Sequence, residues 1–244
     1  MCSAYVHGLP LSILFILITT MKYKLPIIII NFKTYKEIYG NNGLKIAKAA
    51  EQVSKEEGLT IMIAPPIAEV MLYTTQINIP VISQHVDAHE PDRGTGMIPV
   101  ELIKSTGAVG SIVNHSEHPV NLNSISFVVD KLKKYDMISC VCVQRSSEAG
   151  SIAILNPDMV AIEPPELIGG NISVSTAKPE IVAYSVENVR EQSNEVAVLC
   201  GAGIKSDEDV KKAVDLDVDG ILISSGVVLS KNPKEIIENL ASGF

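Results

Sequence analysis

The sequence predicts an α/β protein of eight parallel strands, each followed by a helix-length segment, most naturally closed as a right-handed (β/α)8 barrel. Three observations carry that prediction. Eight apolar, β-rich runs recur between Met21 and Phe244 at about 28 residues per unit. Most of these runs are continuously apolar instead of alternating, as strands covered on both faces must be. The segments between them carry helical spacing and capping signals, with no linker or composition break. A doubly wound open sheet can be built from the same units, so periodicity alone leaves that alternative standing.

In chain order, the first twenty residues stand apart. The run LPLSILFILITT (9–20) is strongly apolar but too short to span a bilayer. It lacks the basic lead and small-residue cleavage site of a signal peptide. Met21, Lys22, Tyr23 and Lys24 then read as a natural start, so residues 1–20 are expected to lie outside the fold and 21–244 to form one barrel domain. The strand runs are PIIIINF (26–32), LTIMIAP (59–65), PVISQH (80–85), VGSIVNH (109–115), MISCVCV (137–143), MVAIE (159–163), VAVLCGAG (196–203) and DGILISS (219–225). Helical patterns cover 43–56 and 121–134, the latter with Pro119 near its start. Ser206 and Asp209 make a capping box that opens a helix through Ala213, and Asn232-Pro233 opens a last one through Leu240. Segments 99–106 and 146–155 are fainter.

Composition narrows the function. With 46% hydrophobic residues in 244, the chain can bury one large core. A net charge of −8 and no Lys/Arg block exclude nucleic acid and anionic membrane surfaces as partners. The cysteines, Cys2, Cys140, Cys142 and Cys200, form no CxxC pair, and two sit in one buried run. Reduced structural thiols in a cytoplasmic protein are the expectation.

Chemistry in a parallel barrel sits at the carboxyl ends of the strands. There the first run ends in Asn31, Phe32 and Lys33, the fourth in Asn114, His115, Ser116 and Glu117, and the sixth in Glu163. Glu163 closes an apolar run and precedes Pro164 and Pro165, which push it into extended geometry and so aim it. The last two runs end in the small-residue turns Gly201-Ala202-Gly203 and Ser224-Ser225-Gly226, able to offer bare backbone N–H groups to an anion. Singly, each has a plainer reading: a solvated lysine, a satisfied histidine, half of an ion pair, a tight turn. Together at one end of successive strands they point to a small phosphorylated substrate with proton transfer beside it.

NFKTY (31–35), VNHSE (113–117), IEPPELIG (162–169) and CGAGI (200–204) together resemble triosephosphate isomerase in its short, archaeal-type form, across essentially all of 21–244. The resemblance implies the TIM-barrel fold and roles for these residues. Glu163 would move a proton between C1 and C2 of the triose phosphate, and His115 would be the neutral electrophile, a division of labour for which this family is a standard example. Lys33 would supply positive charge and Asn31 a hydrogen-bond donor, with Phe32 in the same binding segment. Glu117 would pair with Lys33. Residues 164–171 would be a lid that closes over substrate, bringing Ile168 and the N–H of Gly169 to the phosphate. Gly203, Ser224 and Ser225 would complete the phosphate cradle. No metal or organic cofactor is implied. Loop 85–96 would reach a neighbouring subunit, with Thr95 supporting that subunit's Lys33, in a homodimer or homotetramer.

Two departures stand out. His118 and Pro119 occupy places where relatives often carry arginines, which bears on local packing or subunit contacts. Gly170-Asn171 replaces Thr-Gly, which bears on the lid's far hinge. The residues also leave two rival functions open. His85, Asp87, His89 and Glu90 resemble a metal-ligand set, as in a metal-dependent aldolase, although they lie on a loop without helical HxxxH geometry. A non-catalytic phosphate-binding barrel is the other, against which Asn31, Lys33, His115 and Glu163 all stand intact.

Overall fold

The computed structural model describes residues 5–6, 9–10, 23–164, 175 and 178–244. Its eight parallel strands are β1 Ile27–Asn31, β2 Thr60–Ala64, β3 Ile82–Ser83, β4 Gly110–Val113, β5 Ile138–Val143, β6 Met159–Ile162, β7 Ala197–Cys200 and β8 Gly220–Ile223. Each expected run contains one of them. The runs overshoot because residues at their ends bond into turns instead of a ladder. Neighbours pair in sequence from β3 to β8, β8 pairs with β1, and β1 with β2. The remaining gap is crossed by one bridge between Ile63 and Val81, where the Ile63 N–H donates to the Pro80 carbonyl at 3.0 Å. The ring is thereby closed, which rules out the open sheet. A separate antiparallel pair joins Tyr5–Val6 to Leu9–Pro10.

The helices are α1 Asn41–Glu57, α2 Val70–Gln76, α3 Val100–Ser105, α4 Leu122–Lys134, α5 Ser146–Ala153, α6 Pro179–Gln192, α7 Asp207–Val214, α8 Ser225–Val228 and α9 Pro233–Ala241. Local chemistry sets their starts. Asn121 caps α4 by accepting the Ser124 N–H at 3.0 Å. Ser206 and Asp209 form the expected reciprocal box at α7. Caps of this kind contribute about 1 kcal/mol each. Among the described residues, no helix is long and apolar enough to cross a membrane.

Alternation along each strand divides the apolar residues into two cores. Ile27 and Ile29, Cys140 and Cys142, Met159 and Ala161, Leu199 and Leu222 fill the barrel interior. Ile28 and Ile30, Val141 and Val143, Val160 and Ile162, Val198 and Cys200 face the helices. The same alternation places the site. Two residues beyond the last inward residue of four strands stand Asn31, Glu163, Gly201 and Ser224, all in phase with the interior.

The amino end of the barrel is plugged. Tyr23 joins the interior core, and its hydroxyl donates to the Asp158 carbonyl at 2.9 Å. The Asp158 carboxylate accepts the N–H and hydroxyl of Ser139 at 2.9 Å each. Arg190 bonds Asp219 at 2.7 Å and the Val196 carbonyl at 2.8 Å, and Asp219 also accepts the Val198 N–H. Cys140, Cys142 and Cys200 are free and buried, and burial pushes their thiols up, Cys200 to about 12. They are unreactive packing groups.

Candidate active site

A cleft at the carboxyl ends of the strands is lined by Asn31, Lys33, Tyr35, His115, Glu163, Gly201, Gly203 and Ser224 to Gly226, with Lys205 at its edge. Three polar side chains there are almost wholly withdrawn from solvent: Glu163 is 3% exposed, Asn31 4% and His115 5%. Burying such groups costs free energy that apolar residues would not incur, so their presence calls for a chemical reason.

Lys33 follows β1 in left-handed backbone geometry, φ 50°, unusual for a residue with a side chain. The side-chain oxygen of Asn31 accepts the Lys33 N–H at 3.0 Å and stabilises that turn. Gln84, just past β3, donates to the carbonyls of Lys33 and Ala64 at 2.9 Å each. Held this way, the Lys33 ammonium reaches Glu117 at 2.7 Å. Asn114 after β4 is also left-handed, φ 59°. Its amide donates to the Cys142 carbonyl and its oxygen accepts the Val120 N–H, so one side chain brackets the 115–119 turn. Strain of this kind persists where surrounding contacts over-determine it, and it clusters at working sites.

Inside that turn, Nδ1 of His115 accepts the backbone N–H of Glu117 at 3.1 Å. An N–H cannot turn to face a protonated nitrogen, so Nδ1 is the acceptor and Nε2 the nitrogen that carries hydrogen. The Glu117 carboxylate stands 3.8 Å from the same Nδ1 and is directed to Lys33 instead. Nε2 faces Oε2 of Glu163 at 3.4 Å. That oxygen is buried and has no hydrogen-bond partner, and the hydroxyl of Ser224 is likewise unpartnered.

Glu163 fits its place because Gly201 has no side chain. A Cβ at Gly201 would lie 2.5 Å from Cγ of Glu163 and 3.2 Å from its Cδ. Cys142 packs on the carboxylate from within the barrel; burial first, then the Glu163 charge, pushes its thiol well above the usual range. The thiol therefore stays protonated and presents no competing charge.

The structure brings together Asn31, Lys33, His115, Glu163, Gly203, Ser224 and Ser225 around one cleft, with Glu117 bonded to Lys33 at its margin. Phe32 is placed otherwise. Its ring packs edge-on against Tyr73, centroids 5.7 Å apart, in the core between barrel and helices. One position past inward-facing Asn31, alternation turns it away, so its side chain does not line the cleft. Thr95 lies on the exposed 90–97 stretch, outside the cleft of its own chain. Ile168, Gly169 and the Gly170-Asn171 hinge, with the lid beyond Pro164, lie outside the described residues, as does the extension except for its short antiparallel pair. Not foreseen were Tyr35, two places after Lys33 in the same motif, Lys205, and the room that Gly201 gives Glu163.

Three residues of the supposed metal-ligand loop are otherwise engaged. His85 bonds Asp87 at 3.2 Å, and Glu90 pairs with Lys131, which also bonds Glu101 at 2.8 Å. Among the described residues, no three His, Cys, Asp or Glu side chains gather closely enough to share a metal ion.

A sequence model of the triosephosphate isomerase family matches residues 26–240. Relatives called triosephosphate isomerase include one from Methanothermus fervidus, 51% identical over 88% of this chain and 97% of its own length. Another, from Methanocaldococcus jannaschii, is 46% identical over 88% of this chain and 98% of its own. A third, from Methanobacterium bryantii, is 44% identical over 89% and 96%.

Proposed function

The chain belongs to the triosephosphate isomerase family and interconverts dihydroxyacetone phosphate and D-glyceraldehyde 3-phosphate, a step of glycolysis and gluconeogenesis; we propose that Glu163, His115, Lys33 and Asn31 carry out the proton transfer. The observation that carries this assignment is the unpartnered Oε2 of Glu163 beside Nε2 of His115, 3.4 Å away. A carboxylate oxygen with no donor is free to take a proton from carbon, and a neighbouring N–H is placed to meet the oxygen where negative charge develops.

Glu163 removes the hydrogen from C1 of the ketose, forming an O–H bond on the carboxylate as the C–H bond breaks. The electron pair moves into the C1–C2 bond, and the carbonyl oxygen becomes an enediolate oxygen. His115 donates from Nε2 to that oxygen and takes a proton from the other, moving the charge along the enediol. Glu163 then returns its proton to C2. Atoms and electrons balance within the substrate and two side chains. Lys33 stabilises the negative charge of phosphate and enediolate, and Asn31 holds Lys33 in place while offering its amide to the substrate. Glu117 orients the Lys33 ammonium through their 2.7 Å contact. Gly203, Ser224 and Ser225 form the phosphate cradle. Gly203 has φ 74°, a geometry suited to glycine, and the buried Ser224 hydroxyl is available to an incoming oxygen.

The catalytic unit is assigned to residues 21–244. A homodimer or homotetramer is supported by the exposed 90–97 stretch containing Thr95, and by exposed Met97 and Leu102. The free, buried thiols support a cytoplasmic location. The deciding assay supplies the purified chain with glyceraldehyde 3-phosphate and follows dihydroxyacetone phosphate with chelator present. Turnover unaffected by chelator is expected. Turnover that vanishes with chelator would instead indicate metal-dependent chemistry, and sedimentation equilibrium decides the oligomer.

A further inference from the structure

His115 and Glu117 share one short turn between β4 and α4, and much of that turn is exposed. Its own bonds fix its shape: Asn114 brackets it, Glu117 donates to His115, and the His118 N–H donates to the His115 carbonyl at 2.8 Å. Shape is not placement. A compact turn can still tilt over the cleft as a unit, and that tilt sets the gap between Nε2 of His115 and Glu163.

Two side chains of the turn reach across to other loops: the exposed Glu117 carboxylate to Lys33, and the ring of His118 to the loop after β3. The ring of His118 lies flat on that of His85, centroids 3.9 Å apart and planes within 13°. His85 is firmly held. Ser83 accepts its N–H at 3.3 Å and donates to its carbonyl at 2.6 Å, while Asp87 bonds its Nε2. Asp87 is itself tied to Ile98 through both its backbone N–H and its carboxylate. Burial, as the largest influence, favours the uncharged form of His85, which leaves a neutral ring to stack upon. Next to it, Gln84 bonds the Lys33 carbonyl. The loop after β3 therefore reaches both the lysine segment and the histidine turn.

We propose that His118, through its stack on His85, is a positioning residue for His115: it sets the tilt of the turn and so the approach of Nε2 to the reacting oxygens. The inference rests on the role given to His115 above. It concerns a residue pair 33 positions apart that touches neither Glu163 nor the cleft. Stacked rings resist sliding and tilt while leaving the turn's own hydrogen bonds untouched, which suits a strut.

The test compares His118→Ala with His118→Phe in the full chain. Three readouts are needed: kcat and KM for glyceraldehyde 3-phosphate, thermal midpoint, and the 15N–1H correlation of the His115 imidazole. Alanine is expected to lower kcat about tenfold with KM within about twofold, since misplacing a reacting group acts on rate more than on binding. The midpoint should move by no more than about 2 °C, as for a surface contact. Phenylalanine restores a stacking face and should recover kcat to within about threefold of wild type. The His115 signal should change from one tautomer to a mixture in the alanine variant and return in the phenylalanine variant. Wild-type kcat and an unaltered His115 signal in the alanine variant would overturn the proposal. So would a phenylalanine variant as slow as alanine, or a kcat loss matched by a large fall in midpoint. A wild-type chain inactive on triose phosphates would remove the functional assignment alone, because the imidazole signal would still decide whether His118 orders His115.

Discussion

The two ends of this barrel are made by the same eight strands yet obey opposite rules. At the amino end, Tyr23 fills the bore, Asp158 is bonded to Ser139, and Arg190 to Asp219. Polar groups there meet partners. At the carboxyl end, Glu163 and Ser224 keep buried oxygens without partners. One end lowers the free energy of folding, and the other holds groups ready to bond something that arrives later. The difference predicts that substitutions at the carboxyl end act on rate and those at the amino end on stability.

Glu163→Gln is the hardest test of the contrast. It keeps the shape and removes the base, so kcat should fall by roughly 10²–10⁴, the span of a positioned general base, with the thermal midpoint unmoved. A variant nearly as fast as wild type would mean the base lies elsewhere. Gly201→Ala comes next. Its new methyl group competes with Cγ of Glu163 for space, so the carboxylate must swing, and a loss of about 10² in kcat is expected with the fold retained. Wild-type rate in that variant would show that Glu163 has room to spare.

At the opposite end, Tyr23→Phe leaves the Asp158 carbonyl without the hydroxyl at 2.9 Å. About 1 kcal/mol of stability should be lost, seen as about 2–4 °C in midpoint, with kcat unchanged. A change in rate without one in midpoint would collapse the distinction between the ends. The smallest effect belongs to His85, whose imidazole burial holds below its ordinary 6.5, against the pull of Asp87 and with a minor push from His118. Its folded form binds a proton less readily than its unfolded form. Stability is therefore unaffected by this group above pH 6.5 and declines as pH falls from there toward the lower folded value. His85→Phe should flatten that part of a midpoint-against-pH curve, and an unchanged slope would assign it to other groups.

Much of this was legible in the residues themselves. All eight strands lie within the expected apolar runs, and the expected box at Ser206 starts its helix because side-chain oxygens there satisfy orphan N–H groups. Closure into a barrel was expected and is found, although the repeat alone left an open sheet standing, since closure depends on which strands pair last. Helix α6 received no individual notice, because Lys178 offers no side-chain cap and only Pro179 marks its start. Phe32 shows a misreading that the sequence could have corrected: if Asn31 faces inward, its neighbour in an extended strand faces outward. Gly201 against Glu163, and His118 on His85, could not be found by spacing. Both are contacts between residues just past the ends of neighbouring strands, β6 with β7 and β3 with β4, and only the pairing and register of those strands bring them side by side.

The single bridge between Ile63 and Val81 has a consequence of its own. A cylinder whose thinnest seam is one bridge has a preferred place to gape. Amide hydrogens around Val81 should trade with deuterium sooner than those of Ile27–Asn31, which are paired on both sides. Gln84 straddles that line through its bonds to Lys33 and Ala64, so warming should unfasten the cation's anchorage well before it disturbs the acid.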